Sequence, residues 1–148
     1  MKSRNKQKNS EQQSESKSPT EKENTIYSPE EYKQKKDSDY AYYTQIIKSI
    51  WTHEPWKYFK VIRKSVEVMG DYIALHGFVP QNELPAHLRN KIPENEIWMR
   101  DDIYDNLERR KRILTHEYVE LDLMITYSIS YKEAHTRAEL FENIWYQQ

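Results

Sequence analysis

Apolar residues along this chain recur at two periods, and the switches between them mark its elements. Tyr40, Tyr43, Ile46, Ile47, Ile50 and Trp51 fall three and four apart and line one face of a helix. That helix is expected to open the folded domain and to pack on a sheet. Ahead of it, Ser28-Pro29-Glu30-Glu31 is a helix start, with serine as N-cap, proline in the first helical position and acid in the first turn. The charged residues up to 36 give that helix little to bury, so it is expected to be marginal. Residues 56–68 (WKYFKVIRKSVEV) alternate instead, with Phe59, Val61, Arg63 and Ser65 set against Tyr58, Lys60, Ile62 and Lys64. Their β-branched and aromatic content predicts a strand, with a helix over 60–75 as the alternative. Gly70-Asp71 is a turn signal, and residues 72–79 (YIALHGFV) predict a second strand with Gly77 at a bulge.

Residues 80–93 contain three prolines and predict a loop wrapped around the domain, with a short turn at 86–90. Glu96 to Arg100, apolar at its centre, predicts an edge strand. Asp101 or Asp102 can cap the helix that follows. Its apolar stripe is Tyr104, Leu107, Leu114, Tyr118, Leu121 and Ile125, and it ends near Thr126. Ser130-Tyr131-Lys132-Glu133 is a capping box, S-x-x-E, so a last helix runs to about Trp145, with Tyr131, Ala134, Ala138, Phe141 and Trp145 facing the core. A short connection makes these two helices antiparallel neighbours. The expected fold is α+β: a short antiparallel or mixed sheet, an N-terminal helix and a C-terminal antiparallel helical hairpin.

Length allows one modest domain and a tail in 148 residues. Residues 1–25 carry no large apolar side chain after Met1 and cannot offset the cost of ordering their backbone. The division expected is a disordered or marginally helical polar tail over 1–37 and an α+β domain over 38–148. The formal charge is −1, so no global field points to nucleic acid or a membrane surface. The basic cluster Arg109-Arg110-Lys111-Arg112 lacks interleaved aromatics and reads as a solvated face. There are no cysteines, which excludes disulfides and thiolate metal sites. Neither a secretory signal nor a long apolar run is visible, so a cytoplasmic protein without a membrane partner is expected.

The chemistry concentrates in ILTHEYVEL, residues 113–121. On a helix His116 and Glu120 are i and i+4, one turn apart on one face, the spacing by which a helix offers two ligands to one metal ion. Glu117, between them, can reach a water on that metal. From Glu120 the chain descends roughly 9 Å to Thr126, and from Ser130 it climbs back roughly 7.5 Å to His135 at 1.5 Å per residue. His135 therefore returns to about the level of Glu120, and small Ala134 and Ala138 let the helices come close. Glu139, one turn on, lies near the level of His116, where it can accept a hydrogen bond from His135 as a partner or act as a fourth ligand and close the site. Of the other histidines, His53 and His87 read as loop residues and His76 as a satisfied core residue.

The segment from Glu96 to Glu142, with EIWMRDDIY, ILTHEYVELDLM and SYKEAHTRAELFE, resembles the compact zincin-like metallopeptidase domains, many of them from phage and mobile elements. There a strand precedes a helix carrying H-E-x-x-H or a variant, and a further helix supplies the last ligand. Here Glu120 stands at the second histidine, an H-E-x-x-E variant. The resemblance covers roughly the C-terminal third of the chain. It implies a Zn2+ ion on His116, Glu120 and His135, with Glu117 as the catalytic base. It also implies an edge strand of Ile97, Trp98 and Met99 that pairs with an extended peptide or protein substrate. The other expectation from the sequence is a non-catalytic zincin-like or simple α+β module that binds a protein partner, with or without a structural metal.

Overall fold

The computed structural model describes residues 27–52 and 56–147. The expectations for the tail up to residue 26, for His53 and for the side chain of Trp51 lie outside the described residues. Helix α1 (Pro29–Ile46) begins at the expected signal: Ser28 Oγ accepts the Glu31 N–H, and the Glu31 carboxylate accepts the Ser28 N–H. It then runs unbroken to Ile46, so the expected division at 37/38 falls inside one helix. The reason is tertiary. Buried Asp39 takes both Nε and Nη2 of Arg137 at 2.9 and 2.7 Å, a two-pronged charge-assisted pair between the first and last helices. Tyr43 meets Phe141 edge-on at 5.7 Å, so α1 packs on the last helix rather than on the sheet as expected.

Strand β1 (Lys60–Lys64) is shorter than its alternating pattern because Ser65 caps a one-turn helix, α2 (Val66–Met69), by accepting the Val68 N–H. Gly70, at φ +60°, ends it. The helical alternative thus holds for four residues only. Strand β2 (Ala74–His76) and strand β3 (Glu96–Arg100) complete the sheet, whose order is β1-β3-β2. β1 lies parallel to β3 and β2 antiparallel to it, so the sheet is mixed and the fold is α+β.

β3 is therefore central, which corrects its expected place at the edge. Ile97, Trp98 and Met99 are buried and pair on both sides, with Val61, Ile62 and Arg63 of β1 and with His76, Leu75 and Ala74 of β2. A substrate strand cannot add there. The physical reason is α2, which carries the chain across between β1 and β2, so the two strands do not close as a hairpin and a third fits between them.

Alternate residues of β3 face opposite layers. Ile97 joins Tyr118, Leu121, Ala138 and Phe141 under the helices, while Trp98 and its neighbour Leu75 join Leu84, Leu88 and Ile92 under the loop. The expected proline loop is thus held by its own apolar residues, with single 3-10 turns at Gln81–Glu83 and Ala86–Leu88. The long helix expected after β3 is two helices. α3 (Asp101–Tyr104) is a single turn, and Asn106 caps α4 (Leu107–Ile125) by accepting the Arg109 N–H, which leaves Leu107 exposed rather than in the core. Ser130 caps α5 (Tyr131–Trp145) as expected. Thr115 meets Tyr146 and Glu120 meets His135, so α4 and α5 run antiparallel, with Ala134 and Ala138 fully buried. Among the described residues no helix is long and apolar enough to cross a membrane.

Candidate metal centre

Tyr118 and Leu121 carry the core face of α4, and His116 and Glu120 leave the helix beside it, one turn apart and buried. His135 comes from α5. His116 Nε2, Glu120 Oε2 and His135 Nδ1 form a triangle with edges of 3.2, 2.8 and 3.3 Å. A tetrahedral zinc with arms of about 2.0–2.1 Å separates its ligand atoms by about 3.3–3.4 Å. Two edges already match, and the third is the length of a charge-assisted hydrogen bond, which a proton on His135 Nδ1 satisfies equally well. The hairpin register worked out from helix rise therefore holds, and the three residues named as ligands come together.

Two of the three donors are held from behind. His116 Nδ1 lies 3.2 Å from Glu142 Oε1 and donates to it, so Nε2 is the nitrogen that faces the triangle and offers it a lone pair once its own proton has left. Glu142 accepts in turn from Arg112 Nε, and Arg112 Nη2 reaches Asn143 at 3.0 Å. Glu120 Oε1, the oxygen turned away from the triangle, lies 2.5 Å from His76 Nε2. Glu139 is not among the converging donors. It lies 3.9 Å from His135 Nε2, the nitrogen on the far side of that ring, so the fourth-ligand alternative is not met and Glu139 is at most an outer partner of His135. The site opens on this flank, where the His135 side chain is 45% exposed while that of Glu120 is 2%. The Tyr131 ring, expected in the core, walls the site between His135 and His76, at 5.6 and 6.3 Å.

Burial works against ionising Glu120, but hydrogen bonds from His116, His135 and His76 outweigh it and hold the carboxyl well below its usual range. Burial likewise opposes a charged His116, and its bonds to Glu120 and Glu142 overcome that, raising it well above an ordinary histidine. His135 is raised for the same reason, through Glu120. Glu117 moves the other way from Glu120: burial, and then the nearby charge of Glu120, raises its carboxyl. Its Oε1 is buried without a hydrogen-bond partner among the described residues.

His76 and Glu142 were not expected here. His76 is visible in the sequence only as a polar residue on an inward-facing strand position, and Glu142 sits one turn beyond the carboxylate expected to serve. His87 bonds the Val68 carbonyl at 2.8 Å and is not among the converging donors. Set against known protein families, curated proteins and solved structures, the chain matches none of them.

Proposed function

We propose that this chain is a zinc-dependent peptidase centred on His116, Glu120 and His135. The observation that carries the reading is the triangle of two imidazole nitrogens and one carboxylate oxygen, drawn from two helices, with the buried Glu117 Oε1, unpartnered among the described residues, on the helix of His116 and Glu120. Three protein donors suit a catalytic zinc, whereas structural zinc takes four. No fourth residue joins this cluster among the described residues. Zinc bound there supplies Lewis acidity that lowers the pKa of a water ligand toward about 7.

Glu117 takes a proton from the attacking water and passes it to the leaving amine as the C–N bond breaks. One water is consumed, and a carboxylic acid and an amine are formed. A carboxyl raised by burial suits a group that must hold that proton between two transfers. Glu142 and Arg112 keep the His116 ring aligned, and His135 stands at the open flank where a peptide arrives. The pairing role expected of β3 passes to β2, an edge strand that ends at His76 beside Glu120. A cytoplasmic setting is part of this proposal.

Metal analysis and peptide cleavage on the purified full chain test it. About one zinc per chain is expected, lost in His116→Ala and His135→Ala and kept in Glu117→Gln, with cleavage lost in Glu117→Gln. Zinc retained at full occupancy in both histidine variants, or cleavage unaffected by Glu117→Gln, overturns it. Absence of metal from every form favours the non-catalytic binding module.

A further inference from the structure

Behind the metal-facing side of Glu120 lies a further, buried histidine that the mechanism above does not use. β2 pairs His76 with Ile97, and directly opposite residues share a sheet face, so His76 points into the helix layer with Ile97. It is fully buried there, and its Nε2 lies 2.5 Å from Glu120 Oε1. His76, Glu117 and Glu120 also offer donor atoms within 4.8 Å of one another, so this corner has the composition of a second cation site.

The other side of the ring decides between the two roles. The Phe78 backbone N–H donates to His76 Nδ1 at 3.1 Å. A backbone N–H can only donate, so Nδ1 carries a lone pair and the ring proton sits on Nε2, facing Glu120. For Nε2 to ligate a cation, both ring nitrogens would have to present lone pairs, or the Phe78 bond would have to break. The turn resists that break. A Cβ at Gly77 would stand 2.6–2.8 Å from Pro93 O, Glu94 Cα and Ile92 O, so the backbone between His76 and Phe78 is closely packed against the chain before β3.

We infer that His76 is a positioning residue: it donates Nε2–H to Glu120 Oε1 and so limits that carboxylate to one metal-facing oxygen, instead of binding an ion itself. The inference rests on the reading of His116, Glu120 and His135 as a metal centre. It assigns one ion to the site, not two. Removing such an outer partner typically weakens metal binding 10–100-fold.

Two measurements on the full chain test it. In protein loaded with cadmium-113, long-range proton–nitrogen spectra should show metal coupling to His116 Nε2 and His135 Nδ1. They should also show a protonated Nε2 without metal coupling at His76. Competition with a chromophoric chelator should show one zinc per chain, bound about 10–100-fold more weakly in His76→Ala. His76→Gln should recover most of that loss, because its amide nitrogen can donate from nearly the same place. Cadmium coupling to His76, two ions in the wild type falling to one in His76→Ala, or unchanged affinity in a folded His76→Ala each overturn the inference while leaving the metal centre in place. A wild type that binds no zinc overturns the centre itself and this inference with it. Should His76→Ala fail to fold, the wild-type spectra and the glutamine variant still decide.

Discussion

Replacing Glu142 by glutamine removes one charge from the site and almost no volume. In the wild type its Oε1 accepts from His116 Nδ1 at 3.2 Å while its other oxygen accepts from Arg112. Glutamine still offers an acceptor to Nδ1–H, so the ring can keep its orientation. It no longer sets a carboxylate behind the imidazole, however, and His116 Nε2 becomes a weaker ligand. Loss of such a partner costs about 10–100-fold in metal affinity, or about 1.4–2.7 kcal/mol. Thermal unfolding with and without excess zinc reads this directly, because the zinc-induced stabilisation follows RT ln(1 + [L]/Kd). At about 3–5 °C per kcal/mol for a folded part of this size, the zinc-induced rise in Tm should shrink by about 4–13 °C. Scans in chelator separate that change from any loss of intrinsic stability through Arg112. A Glu142→Gln protein whose zinc-induced rise equals that of the wild type would refute the role of the Glu142 charge in strengthening His116 as a ligand.

Three further outcomes follow from the same geometry. His116 and His135 are raised above the unfolded value of about 6.5, because their bonds to Glu120 outweigh the burial that opposes their charge. Their contribution to stability is full below that pH and is lost as pH rises through the raised values. Denaturant unfolding in chelator should therefore show less stability at pH 9 than at pH 7, with the trend flattened or reversed in excess zinc, which competes with those protons; equal or greater chelated stability at pH 9 contradicts the sign. Arg137→Met strands the buried Asp39 carboxylate and should lower unfolding free energy by about 3–5 kcal/mol, read as a shifted urea midpoint at constant slope. Gly77→Ala sets a methyl against backbone atoms that cannot swing aside and should cost about 1–3 kcal/mol by the same measurement, whereas a neutral result would mean the turn after β2 yields freely.

Much of the hairpin was legible in the sequence because its determinants are local. Ser28 and Ser130 bond to amides three residues on, and the chain needs no distant partner to place those helix starts. The four-residue spacing of His116 and Glu120 is a property of any helix, and a three-residue turn after Thr126 leaves α5 little choice but to return alongside α4. From these alone His135 could be brought level with Glu120. What stayed hidden depends on residues far apart in the chain. The helix through residue 37 is tied down by Arg137, about a hundred positions away, so its charged composition read as a tail. The middle position of β3 depends on where α2 deposits β2, and strand order leaves no mark on the strand's own alternation. Helix rise fixes levels along an axis, not the direction in which a ring turns. Only the packed hairpin decided that His116 would back onto Glu142, a residue given no part from the sequence, and only the sheet register brought His76 against Glu120.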